Sequence, residues 1–121
     1  MKLFSHASPI FRVSNIKETA EYYRDVLGFT IGFEWGDPPS YIVMNREEVG
    51  LHLSQSPVLE PKSDFAVLYI FVHDADAVYE ELKQKGANII EHISDTDYHM
   101  REFMIEDLNG VKLMIGKGTS E

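Results

Sequence analysis

At 121 residues the chain is the length of one domain, and 44% hydrophobic composition with 12% aromatics suffices to bury a core without staples. Eleven Lys and Arg against twenty Asp and Glu give a net charge of -9, which argues against nucleic acid and anionic lipid as partners and mildly favours neutral or cationic ones, solubility being the plainer use of that charge. No cysteine is present, so disulfides, thiolate nucleophiles and zinc-thiolate sites are excluded. The stretch MKLFSHASPIFRV has no long apolar run followed by a small-residue cleavage site, and no segment approaches a membrane span, so a soluble cytoplasmic protein is expected.

In chain order, Ser8 to Val13 reads as a strand stopped at Ser14-Asn15. Asn15 is a helix N-cap with Glu18 placed for a capping box, and Ile16, Ala20, Tyr23 and Leu27 form one apolar helical face. Gly28 ends that helix. Three strands follow, FTIGFEW, SYIVMN and VGLHLS, separated by Gly36-Asp37-Pro38-Pro39 and by Arg46-Glu47-Glu48. The order is βαβββ.

The second half repeats it: a strand from Phe65 to Val72, a cap at Asp74, a helix with Val78, Tyr79 and Leu82 on its apolar face, a stop at Gly86, then ANIIEHI, REFMIE and VKLMIG. Asn15 and Asp74, Gly28 and Gly86, and Val49 and Val111 all stand about sixty residues apart, which marks a duplicated module. The expected organisation is a single domain over 1–121, with module one at about 7–55, a linker at 56–64 and module two at about 65–117. The fold class is α+β: two tandem βαβββ modules forming an incomplete barrel with a central cleft. In the last strands Val49, Leu51 and Leu53 alternate with Gly50, His52 and Ser54, and Val111, Leu113 and Ile115 with Lys112, Met114 and Gly116. The aliphatic set should pack under the helix, leaving the other set to line the cleft.

Two stretches, NIKETAEYYRDVLGF from Asn15 to Phe29 and REFMIEDLNGVKLM from Arg101 to Met114, resemble the vicinal oxygen chelate superfamily, which includes glyoxalase I, extradiol dioxygenases, fosfomycin resistance enzymes and bleomycin resistance proteins. Tyr22-Tyr23 followed by Val26-Leu27-Gly28-Phe29 is similar to its "FY..vLGF" signature. Glu106 to Gly110 is similar to its "DPdGn" turn, with Leu108 in place of the usual Pro. The resemblance spans essentially the whole chain. It implies a divalent cation held by His, Glu or Gln from the first and last strand of each module, and the matching positions here are Ser8, His52, Val67 and Met114. Only His52 is a good ligand, so no metal and no cofactor are expected. A two-residue slip of the first strand would bring in His6, and a loop histidine, His99, stands near Asp95, Asp97 and Glu102. His73 reads as a solvent-facing neighbour of Asp74, and His92 has no partner visible in sequence.

The resemblance is nearest in type to the metal-free, bleomycin-resistance-like members, small acidic dimers that sequester a cationic aromatic ligand. The expected function is therefore binding of a small hydrophobic or cationic molecule without metal chemistry, by a homodimer. The alternative is a metal-dependent lyase, thiol transferase or dioxygenase with an atypical ligand set, and whether any reaction is catalysed stays open. The expected ligand-binding residues are Phe33, Trp35, Ile42, Met44, His52, Tyr69, Met104 and Met114, with Glu102 as a negative handle. Against this stands a plainer use of each: Trp35 and Phe33 as core or interface, the methionines as gap-fillers, and Glu102 as a partner of Arg101 or Arg12.

Overall fold

The structure, a computed structural model, describes residues 1–57 and 64–119. The elements are β1 (Ile10–Val13), α1 (Ile16–Asp25), β2 (Thr30–Trp35), β3 (Tyr41–Arg46), β4 (Val49–Gln55), β5 (Leu68–Phe71), α2 (Ala75–Gln84), β6 (Asn88–Asp95), β7 (Met100–Glu106) and β8 (Lys112–Gly118). This is βαβββ twice. The chain divides into two compact units, one built on β1 to β4 and the other on β5 to β8. Most of the expected linker, 58–63, lies outside the described residues.

The strand orders are β1-β4-β3-β2 and β5-β8-β7-β6, so the duplication seen in the sequence is a duplication of topology. In each sheet the first strand lies parallel to the last, and the remaining pairs are antiparallel. A parallel neighbour requires the chain to cross from one end of the sheet to the other, which is the task of the intervening helix.

The punctuation works as the residue types dictate. The Asn15 side chain accepts the Glu18 N–H at 3.0 Å, and Asp74 accepts the Ala77 N–H at 3.0 Å. Gln55, at the end of β4, accepts the Ile16 N–H at 2.9 Å and donates to the Ser14 carbonyl, tying strand to helix start. Gly28 and Gly86 stop the helices at φ 79 and 89, a left-handed conformation that costs an L side chain about 1 kcal/mol or more. In the acidic turn before β8, the buried Asp107 carboxylate accepts the Asn109 N–H at 2.8 Å and the Val111 N–H at 3.0 Å, with Gly110 at φ 83. The carboxylate templates the turn, so Leu108 needs no proline's rigidity to hold it.

Each sheet has a buried aliphatic layer. In the first unit it comprises Phe11, Val13, Ile42, Met44, Leu51 and Leu53, and the α1 residues Ile16, Ala20 and Tyr23 are buried as the helical spacing demands. In the second it comprises Phe103, Ile105, Leu113 and Ile115 on the α2 side, where Tyr79 meets Phe103 edge to face at 5.1 Å. Leu53→Ala should cost about 3 kcal/mol, a buried Leu losing its contacts and leaving a cavity. Ser54→Ala, one residue along on the other face, should stay within about 0.5 kcal/mol. Urea melts of the two variants check this alternation; equal losses would contradict it.

Candidate functional site

In the first unit, β4 sends Leu51 and Leu53 into the buried layer and His52 to the opposite face. Register then assigns the neighbours: Ile10 and Val43 flank His52, while Met44 pairs with Leu51 and Ile42 with Leu53. Ile42 and Met44 are therefore turned away from His52, at 2% and 0% exposure, and the expectation that they line a binding face is corrected. Both are core residues. The cause is simple parity: β3 must match β4 pair by pair, so its buried residues are even-numbered where those of β4 are odd.

Phe33 and Trp35 behave differently because β2 is interrupted. Ile31 pairs with Met44, but Phe33 pairs with Val43 and Trp35 with Tyr41, so Gly32 is an extra residue that shifts the count by one. Without that bulge both aromatics would face the buried layer. With it they lie on the His52 face, at 54% and 64% exposure. Beside them Tyr41 is hydrogen-bonded through its hydroxyl to His52 Nδ1 at 2.6 Å, the rings meeting edge to face. Phe33, Trp35, Tyr41 and His52 thus form one aromatic face of the first unit, with Ile10 at its rim.

In the second unit the face away from α2 carries Tyr69, Glu102, Met104, Met114 and Gly116: Tyr69 and Met104 both pair with Met114, and Glu102 pairs with Gly116. All four predicted residues, Tyr69, Glu102, Met104 and Met114, come together here. Glu102 is 7% exposed. It does not pair with adjacent Arg101. Instead the Tyr69 hydroxyl donates to its Oε1 at 2.7 Å and the Tyr98 hydroxyl donates to its Oε2. Arg101 turns to Asp76, gripped in a fork at 2.9 to 3.2 Å, and to Asp95 at 3.0 Å. That grip holds the Asp76 carboxyl below its ordinary range.

The network depends on a missing side chain. A Cβ on Gly116 would lie 2.4 Å from the Tyr69 hydroxyl and 2.8 Å from Glu102 Cβ, so only glycine lets the phenol reach the carboxylate. Burial, then the hydrogen bond to Glu102, push the Tyr69 phenol well above its ordinary value; for Tyr98 the hydrogen bond to Glu102 comes first. Tyr98 was not signalled by alternation, since it sits on the turn after β6 rather than on a strand. The run of acids around it, Asp95, Asp97 and Glu102, was its only trace in the sequence.

The four positions matching a metal site do not fit a hard divalent cation. Val67 and Met114 carry no hard donor, and no three His, Asp or Glu side chains converge among the described residues. His6 is exposed and bonded to its neighbour Ser5, and His92 meets the Tyr79 hydroxyl at 2.6 Å. His99 sits at φ 67 in the turn before β7, its carbonyl accepting the Thr119 N–H. Elsewhere in the second unit a surface depression lined by His73, Asp74, Asp76, Arg101 and Lys117 lies at the start of α2. None of the predicted ligand-binding residues reaches it.

Comparison with known proteins gives a consistent picture. The family described as the Glyoxalase/Bleomycin resistance protein/Dioxygenase superfamily matches residues 4–115. The chain is 29% identical over 117 residues to the metallothiol transferase FosB of Staphylococcus epidermidis, covering 92% of this chain and 81% of that one. Among solved structures, TnmS3, an antibiotic binding protein from Streptomyces sp. CB03234, superposes with a TM-score of 0.80 at 19% identity, covering 98% of this chain and 100% of the other. TioX from Micromonospora sp. ML1 gives 0.76 at 14% identity, covering 97% and 98%. At such identities the two structures speak for the fold alone.

Glu102→Gln should lower the late-titrating phenols, Tyr98 the more, because the carboxylate that opposes their ionisation is gone while burial still raises Tyr69. Both folded-state values are raised, so what they contribute to stability is complete below about pH 10 and is lost as the pH rises through them. An alkaline ultraviolet titration reads the six tyrosines directly. Late phenols that persist unchanged in the variant would contradict the network.

Proposed function

The chain belongs to the glyoxalase/bleomycin resistance protein/dioxygenase superfamily, and from that premise we propose that it binds a small hydrophobic or cationic molecule without metal chemistry, sequestering or carrying it. The observation that carries this reading is the aromatic face of the first unit. A soluble chain does not ordinarily leave a Trp and a Phe half or more exposed on one face of a sheet, next to a Tyr–His pair, without a partner for them. An indole and a phenyl side by side suit a planar or positively charged ligand.

Each unit is proposed to offer a recognition face of its own: Phe33, Trp35 and His52 in the first, and Tyr69, Glu102, Met104 and Met114 in the second. Met104 and Met114 are buried at 2% and 4% exposure, so a ligand meets them only as flexible side chains that yield beside Glu102, which favours a positive group over a negative one. The antibiotic-binding description of TnmS3 supports a binding role for a chain of this fold. Metallothiol transfer, the activity in the name of the staphylococcal relative, is less well supported because Val67 and Met114 offer a cation nothing. A homodimer in the cytoplasm belongs to the same proposal. Each sheet ends in edge strands, β1 and β2 in the first and β5 and β6 in the second, and a sheet edge is where a second copy can add. Among the described residues no helix is long and apolar enough to cross a membrane.

Trp35 is the single tryptophan, so its fluorescence reports on the proposed platform without ambiguity. A panel of aromatic cations and neutral aromatics should include compounds that quench or shift it. Trp35→Ala should then weaken those compounds by about 1 kcal/mol, roughly fivefold, in calorimetry, with an unchanged melting temperature. Full affinity in the variant would remove Trp35 as the platform.

A further inference from the structure

A carboxylate removed from water is ordinarily matched by a cation, because burying an uncompensated charge is costly. Glu102 has no such partner within its own unit: among the described residues of that unit no Lys, Arg or His is paired with it, and adjacent Arg101 is engaged by Asp76 and Asp95. Two neutral phenols hold it instead. They satisfy oxygen lone pairs and leave the negative charge in place, beside the sulfur-containing wall of Met104 and Met114.

The two phenols are not equivalent. Tyr69 stands on β5, its ring 4.5 Å from that of Phe71 and its hydroxyl seated in the gap that Gly116 leaves. Tyr98 stands on the turn joining β6 to β7, with 60% of its surface exposed. The feet of that turn are pinned independently of the ring: Thr96 N–H bonds the Met100 carbonyl at 2.8 Å, Met100 N–H bonds Thr96 Oγ1 at 3.0 Å, and Thr119 N–H bonds the His99 carbonyl at 2.9 Å. The Tyr98 side chain can therefore swing away about its own torsions without opening the ladder. Doing so breaks its hydrogen bond to Glu102 and bares Oε2 to solvent.

We infer that Oε2 of Glu102 is the recognition point for the ammonium group of a small amine, and that Tyr98 is its exchangeable cover. The incoming N–H donates where the Tyr98 hydroxyl did, and the ammonium adds the counter-charge that a phenol cannot. The Tyr98 bond is already assisted by the carboxylate's charge; what the ammonium adds is the Coulombic attraction of a full counter-ion at the same oxygen. Tyr69 keeps Oε1 and orients the carboxylate. The displaced Tyr98 ring and the exposed Phe71 ring offer π faces to the cation. This rests on the ligand-binding reading above and adds to it the charge-bearing group of the ligand and a residue that controls access.

The test compares benzylammonium with benzyl alcohol, which has nearly the same shape and no charge, by calorimetric titration. Wild-type protein should bind benzylammonium about tenfold more tightly than benzyl alcohol. Tyr98→Phe keeps the ring and removes the competing hydroxyl, so it should tighten benzylammonium by a further factor of about ten. Glu102→Gln should erase the preference. If benzyl alcohol binds as well as benzylammonium to the wild type, or if Tyr98→Phe weakens both probes alike, the inference is overturned while the ligand-binding reading stands. If neither these probes nor the aromatic panel binds, both fall. Should Glu102→Gln fail to fold, the wild-type probe ratio and the Tyr98→Phe shift still decide.

Discussion

Alternate residues of a strand point to opposite faces, and in this protein that rule decides which side chains join the buried layer beside the helix and which take the other face. Once β4 commits Leu51 and Leu53 to the interior, His52 has no choice but the other face, and hydrogen-bonded register passes the same decision to β1 and β3. Ile42 and Met44 are buried for this reason alone. The one departure is at Gly32, where an extra residue reverses the count and brings Phe33 and Trp35 round to join His52. The Asn45 side-chain oxygen lies 3.2 Å from where a Gly32 Cβ would stand, so glycine also keeps the bulge from crowding its neighbour. A single backbone irregularity thereby makes an aromatic face out of what would otherwise be surplus core.

Much of this was legible beforehand because it is written in local chemistry. Asn15 and Asp74 cap helices wherever they precede an amphipathic run, Gly28 and Gly86 take the left-handed conformation that ends one, and the repetition of the whole pattern announces two sheets of the same order. Parity within β7 and β8 was legible as well, which is why Tyr69, Glu102, Met104 and Met114 share a face as expected. Pairing across strands was not. Whether β3 matches β4 odd to even depends on the length of the Arg46–Glu48 turn, and a bulge has no signature beyond a glycine inside a strand. Tyr98 was hidden for a different reason: a turn residue has no periodicity, and its reach to Glu102 exists only in three dimensions.

Glu102 draws these strands of argument together. Sequence offered it a cation as partner, in Arg101 or Arg12, and the fold gives it two phenols. The difference matters chemically, because a salt bridge would have matched the carboxylate with a cation, whereas the two hydroxyls satisfy its oxygens as neutral donors. The same face lacks what a metal would ask for. Met114 and Val67 stand at the second unit's positions matching cation ligands in the superfamily, and a thioether and an isopropyl group hold no hard cation. One architecture can carry many functions, so the residues at these positions, and not the fold, are what bear on the chemistry.

The measurement that reaches this account most directly is metal content per chain after equilibration with Zn, Ni, Mn and Fe(II) and removal of excess ion at high salt. Binding without metal chemistry predicts that no cation is retained in stoichiometric amount, and that the aromatic and amine ligands bind equally well before and after chelator treatment. One equivalent of tightly held metal, with ligand affinity lost on chelation, would contradict it and would return the protein to the metal-dependent transferases and dioxygenases of its superfamily.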